Sequence, residues 1–177
     1  TSPTSVTLNQ TNVTLDISTN KTVQLTATVN PSTANVQTGI TWRSNDTSVA
    51  TVSTSGVVTA IKNGSTTITA TTENGKTATC TITVQTTPTS VTLNQTNVTL
   101  DISTNKTVQL TATVNPGTAN INKGITWRSN DTSIATVSQS GVVTGVKNGT
   151  TTIIATTGNG KTATCTITVQ TTPTSVT

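Results

Sequence analysis

Few residues in this chain are equipped for chemistry, and they lie far apart. In 177 residues there is no histidine, and the carboxylates number 5 and the cysteines 2. General acid–base catalysis, Ser-His-Asp chemistry and zinc coordination draw on histidine or on clustered acids and thiols. The chain therefore reads as a non-enzyme with no catalytic residues, no cofactor and no metal site. Cys80 and Cys165 alternate with apolar neighbours (Ala78 and Ile82 around the first), which points both thiols inward as small buried hydrophobes; the alternative is an intermolecular bridge.

The densest polar cluster is Arg43, Asn45 and Asp46, beside Trp42, with its counterpart Arg128, Asn130 and Asp131. Tryptophan stacks on sugar rings, and Arg, Asn and Asp hydrogen-bond to hydroxyls, so these six residues are the candidate ligand contacts. The competing reading places Trp42 in the core with Ile40 and leaves Arg43 exposed at a strand end, paired with Asp46. Calcium requires several oxygen ligands close together. Asp16 and Asp46, or Asp101 and Asp131, are far apart in sequence, and Glu73 is replaced by Gly158 in the second copy, which argues against such a site. A covalent Lys-to-Asn link through Lys21, with Asp16 or Asn20 nearby, is disfavoured because that segment is polar and reads as solvated. Asn-X-Ser/Thr matches such as Asn9-Gln10-Thr11 are expected by chance in a chain so rich in Asn and Thr.

The elements that must hold these residues are strands. About three residues in ten are threonine, charged residues make up 8% and aromatic residues 1%. Val, Ile, Leu and Ala alternate with Thr, the period of a half-buried strand, and no helical period is present. The net charge of +4 is carried by isolated Lys and Arg without interleaved aromatics, which argues against a nucleic-acid partner. No run approaches the roughly 18 apolar residues of a membrane span, so no membrane insertion is expected. Nor does a signal peptide open the chain, which reads as an excised or processed piece.

The segment PTSVTLNQTNVTLDISTNKTVQLTATVNP starting at Pro3 recurs unchanged from Pro88, and PTSVT begins again at Pro173. The expected organisation is repeat 1 at 1–87, repeat 2 at 88–172, and the start of a third repeat at 173–177. The complete copies differ at about eleven positions, mostly mild or in expected loops. Within repeat 1, strands are expected at Val6–Leu8, Val13–Ile17, one continuous run through Val23, Leu25, Ala27 and Val29 ended by Pro31, then Ile40–Trp42. Further strands follow at Val49–Val52, Val57–Ile61, around Ile68 and Ala70, and Ala78–Val84. Asn63-Gly64 and Asn74-Gly75 are both expected to be hairpin turns. Seven or eight short strands with turn signals every 8 to 12 residues or so predict an all-β protein of two tandem immunoglobulin-like β-sandwich domains.

The elements SVTLN, LTATVNP, ITWRSNDTSVATVSTSGVVTAIKNGSTTITATT and TATCTITV, in this order and spacing, resemble the bacterial immunoglobulin-like group 2 domains. The glycine usual after the second strand in that family is replaced here by Ser18 or Thr19. The resemblance implies tandem sandwiches on secreted or surface proteins, where they serve as stalks, adhesin repeats or accessory modules of extracellular enzymes. On that basis the expected partners are neighbouring repeats of the same chain and host or cell-wall surface molecules. The short junctions Thr86–Pro88 and Thr171–Pro173 leave little slack, which suits a spacer or fibre segment. A third arrangement is strand addition, in which the leading strand of one unit, such as Ser5–Leu8, pairs into a neighbour; truncation between repeats explains the tail Pro173–Thr177 as well and is the preferred reading.

Overall fold

A computed structural model describes residues 1–173, which are entirely β-strand, turn and loop. The last four positions of the expected third repeat, 174–177, lie outside the described residues. The chain divides into two compact units, the first Thr1–Thr87 and the second beginning at Pro88.

In the first unit, β1 (Ser5–Leu8), β2 (Asn12–Asp16), β3 (Thr22–Gln24), β4 (Ala27–Asn30) and β5 (Ile40–Ser44) are followed by β6 (Ala50–Val52), β7 (Val57–Ala60), β8 (Gly64–Thr72) and β9 (Thr77–Gln85). Strands β2-β9-β8-β5 form a four-stranded sheet, β3-β7-β6 a three-stranded sheet and β1-β4 a two-stranded one. Alternation directs Leu15, Ile68, Cys80, Ile82 and Val84 from the four-stranded sheet onto Ala50, Val58 and Ala60 from the three-stranded sheet, forming one sandwich core. Strand β2 runs parallel to β9, from Asn12 opposite Thr81 to Asp16 opposite Gln85. The other pairings in the unit are antiparallel.

The second unit repeats the order. Its strands are β10 (Ser90–Leu93), β11 (Asn97–Asp101), β12 (Thr107–Gln109), β13 (Ala112–Asn115) and β14 (Ile125–Ser129), then β15 (Ala135–Val137), β16 (Val142–Gly145), β17 (Gly149–Thr157) and β18 (Thr162–Gln170). Here too the β11–β18 pair is parallel.

The immunoglobulin-like sandwich expected from the alternation is the fold observed, with four local corrections. The run from Val23 to Val29 is two strands, because the chain passes from one sheet to the other at Leu25–Thr26. Leu25 turns into the core, its N–H donating to Gly56 O at 2.9 Å, and the Asn9 side chain accepts from Thr26 N–H at 2.8 Å. These two bonds satisfy backbone groups that a sheet switch would otherwise leave unpaired.

Asn63-Gly64, the second correction, is a crossing between sheets, since β7 and β8 belong to different ones; Asn74-Gly75 does close the β8–β9 hairpin. Third, Trp42 is half-buried at the border of the core, whose largest fully enclosed side chains are Leu15, Leu25, Ile68 and Ile82.

The fourth concerns Asp16, expected in a solvated segment but only 8% exposed. Its side chain organises the turn that lacks the family's glycine. Asp16 Oδ1 accepts from Ser18 N–H at 2.8 Å, while the backbones of Asp16 and Asn20 exchange bonds of 3.0 and 2.8 Å. Aspartate closes turns through its own side chain in this way, without positive φ.

Candidate functional site

Arg43 and Thr41 alternate outward on β5, while Ile40, Trp42 and Ser44 face in. Beyond the strand end, Asn45 N–H donates to Thr67 O at 3.0 Å and Asp46 N–H to Thr66 Oγ1 at 2.9 Å, so the backbone of the cluster is pinned to β8. Arg43, Asn45 and Asp46 are all exposed, as are Arg128, Asn130 and Asp131 beside β14.

The Asp46 carboxylate does not take up the expected pairing with Arg43. Its Oδ1 accepts from Ser48 Oγ at 2.6 Å and Ser48 N–H at 2.9 Å. These bonds, led by the hydroxyl, lower its pKa below the ordinary aspartate value, and Lys62 contributes at longer range. Asp131 is held identically by Ser133. Asp46 and Asp131 are thus turn-forming residues, which leaves Arg43 with Asn45, and Arg128 with Asn130, as the outward polar pairs.

Trp127 and Ile125 form one wall of an open groove of about 310 Å³, with Leu110, Gln109 and Ser140 across from them. Gln109 Nε2 donates to Leu110 O at 2.7 Å and Ser140 O at 2.8 Å, which fixes the far wall. Arg128 lies on the opposite face of β14 from Trp127, so the structure does not combine the indole and the guanidinium in one surface.

Both thiols are fully buried, and burial raises their pKa. Lys21 is exposed, whereas Asp16 is turned toward Ser18 and Thr87. Among the described residues, no group of three or more His, Cys, Asp or Glu could hold a metal ion.

Sequence reasoning missed a set of polar residues that fasten the ends of each repeat. At the leading end, Asn74 Nδ2 donates to Pro3 O at 2.8 Å, and Asn159 Nδ2 to Pro88 O at 2.7 Å. Thr4 N–H and Thr89 N–H donate to Asn30 O and Asn115 O at 2.7 and 2.8 Å. At the trailing end, Thr87 N–H donates to Asp16 Oδ1 at 3.3 Å, and Thr87 O accepts from Ser18 Oγ at 2.9 Å.

The second unit repeats this brace with Asp101, Ser103 and Thr172, adding a short contact between Thr172 Oγ1 and Asp101 Oδ2. That hydroxyl, followed by the Ser103 N–H, holds the Asp101 carboxyl below its ordinary value. Thr86 Oγ1 and Thr171 Oγ1 add bonds of 2.6 and 2.8 Å to Asn63 Oδ1 and Asn148 Oδ1. The only signal in the sequence was that each of these Asn, Asp and Ser residues recurs in both copies at turn positions.

Residues 3–82 and 87–167 each match the family described as Bacterial Ig-like domain (group 2). An uncharacterised protein of Clostridium acetobutylicum is 34% identical over 142 residues, covering 80% of this chain and 14% of that protein. Ice-binding protein 1 of Shewanella frigidimarina is 40% identical over 141 residues, covering 77% of this chain and 16% of its own length. The chain thus spans a small fraction of these relatives. Among solved structures, Drosophila N-cadherin EC1-4 is similar in fold, with a TM-score of 0.53 at 13% identity over 97% of this chain and 50% of that one.

Proposed function

Because the chain belongs to the Bacterial Ig-like domain (group 2) family in both of its halves, we propose that it is a non-catalytic segment of an extracellular stalk. In this reading its repeats are spacers that hold another domain away from a cell or particle surface, and their boundary falls between Thr87 and Pro88. One observation carries the reading: each repeat fastens its own ends. Thr87 is gripped through both its N–H and its carbonyl by Asp16 and Ser18, and the next residue, Pro88, is gripped through its carbonyl by Asn159. No residue remains between these two anchor points to act as a slack linker, and the proline ring restricts one of the intervening dihedrals further.

The test is solution scattering from chains of one, two and four repeats, each over a concentration series with and without calcium. A spacer lengthens by an equal increment per repeat, independently of concentration and of calcium. A maximum dimension that levels off with repeat number overturns the reading, and growth with concentration points to a self-assembling fibre.

A second reading, adhesion through repeated weak contacts, is supported by the exposed Arg43 and Asn45 recurring as Arg128 and Asn130. Identical sites on successive repeats would add by multivalency toward host or cell-wall surface molecules. The stalk reading is preferred, because the indole faces away from the arginine and no aromatic–Arg anchor of the kind that dominates interfaces is assembled.

A further inference from the structure

We propose that each repeat is a load-bearing element whose mechanical clamp is the parallel pairing of β2 with β9, and of β11 with β18. The proposal rests on the stalk reading, in which a pull enters at one end of a repeat and leaves at the other.

A pull along the chain draws β2 back toward its N-terminal end and β9 forward toward its C-terminal end. Because the two strands are parallel, these displacements are opposite along one shared axis, and the ladder is loaded in shear. The bonds loaded together run from Thr81 N–H to Thr11 O (2.8 Å), through the register from Asn12–Thr81 to Asp16–Gln85, to Ile17 N–H on Gln85 O (2.9 Å). Beyond the ladder, Asp16 Oδ1 and Ser18 Oγ hold Thr87 and extend the clamp from Gln85 to Thr87 on the trailing strand. Had the terminal strands been antiparallel neighbours, the same pull would have opened their bonds one after another from one end.

The rest of the sandwich lies between these strands in sequence. Once β1 has detached, strands β3 to β8 are shielded from load until the clamp yields, since the force then passes from β2 directly into β9. Upstream, β1 pairs with β4 over four positions, and its leading carbonyl, that of Pro3, is held by Asn74, which makes β1 an outer lock that gives way first. The second repeat has the same register, from Asn97 opposite Thr166 to Asp101 opposite Gln170. Resistance of this kind raises the barrier to forced unfolding without requiring a large equilibrium stability, and so suits a small domain with a thin core.

Single-molecule force spectroscopy on the two-repeat chain tests this by comparing two pulling directions. In the first, the chain is held at its two ends. In the second, handles are attached through Asn12→Cys and Thr79→Cys, exposed positions at and just upstream of the start of the ladder, from which a pull separates the strands one bond at a time; Asn97→Cys with Thr164→Cys repeats the test on the second unit. The buried Cys80 and Cys165 do not serve as handles while the unit is folded. Urea unfolding of each variant establishes that it is folded and of matched stability. The expected result is a rupture force several-fold higher from the chain ends than from the paired handles. Equal forces in the two directions overturn the clamp, whatever scattering shows about length. Conversely, a stalk whose length fails to grow with repeat number leaves a measured shear anisotropy intact and overturns only the spacer reading.

Discussion

Trp42 lies against Gly56: a methyl group on Gly56 would come within 2.9 Å of the indole Cζ2 and 2.5 Å of the Leu25 carbonyl oxygen. The β6–β7 turn closes directly over the half-buried tryptophan, and the φ of +83° at Gly56 completes that turn. Gly141 stands in the same relation to Trp127 and Leu110. Gly56→Ala combines a left-handed backbone with overpacking and is expected to cost about 2–4 kcal/mol. Gly75→Ala, at φ +81° with nothing within 4 Å, carries only the backbone term, about 1–2 kcal/mol. Urea unfolding of the two variants checks the ranking.

Asn9 governs the sheet switch. Its side chain accepts from Thr26 N–H at 2.8 Å and donates to Gln24 O at 3.3 Å, bridging the break between β3 and β4. Asn9→Ala leaves those backbone groups to water and is expected to lower stability by about 1–2 kcal/mol. Hydrogen exchange localises the effect: protection falls at Thr26 and along β4, whereas β8 and β9 keep theirs.

The pH dependence follows from the three aspartates whose carboxyls lie below the ordinary value, Asp46, Asp101 and Asp131. Each is ionised more readily in the folded chain than in the unfolded one, so its contribution is fully present above the unfolded value of about 4 and is lost as pH falls through the lower folded value. Thermal melts between pH 3 and pH 7 are therefore expected to be level above about pH 5 and to decline below it. Asp131→Asn lowers the plateau and makes the acid limb shallower. A decline as steep as that of the parent chain would show that these carboxylates are not its source.

Cys80 and Cys165 are expected to behave as inert core residues. Burial raises their pKa, which suppresses the reactive thiolate. An aromatic disulfide reagent should modify them only as fast as each unit opens, so the labelling rate rises with urea in step with unfolding. Immediate labelling of the native chain would contradict the inward placement.

Arg43→Ala and Arg128→Ala test the adhesion reading. Both side chains project from exposed strand faces, and each change is expected to shift stability by less than about 0.5 kcal/mol. If the chain attaches to a surface through these sites, the double variant loses attachment while its melting curve stays unchanged. Retained attachment excludes them.

Clues confined to neighbouring residues could be read without coordinates. Period-two alternation placed Cys80, Ile82 and Val84 on one buried face of β9, and Asn74-Gly75 marked its hairpin, because side-chain direction along a strand and a tight turn are both local properties. The alternation through Val23, Leu25, Ala27 and Val29 was real too, but it could not reveal that the chain changes sheets at Leu25. That event is stabilised by Asn9 and Gly56, residues distant in sequence. Asn63-Gly64 carried the same two letters as a hairpin turn, yet its flanking strands pair elsewhere.

Composition and repetition thus determined the fold class, the duplication and the shortage of chemical groups, since those depend on residue types and local period alone. Tertiary structure decided what the isolated polar residues do. Asp46 serves its own turn instead of Arg43, and Asp16 and Asn74 close on Thr87 and Pro3 across 71 positions of chain. Tertiary structure also set β2 parallel to β9, bringing the two ends of a repeat into one ladder. Hydrogen bonds across such separations form only where folding has already brought the groups within about 3 Å, and no local pattern records that encounter.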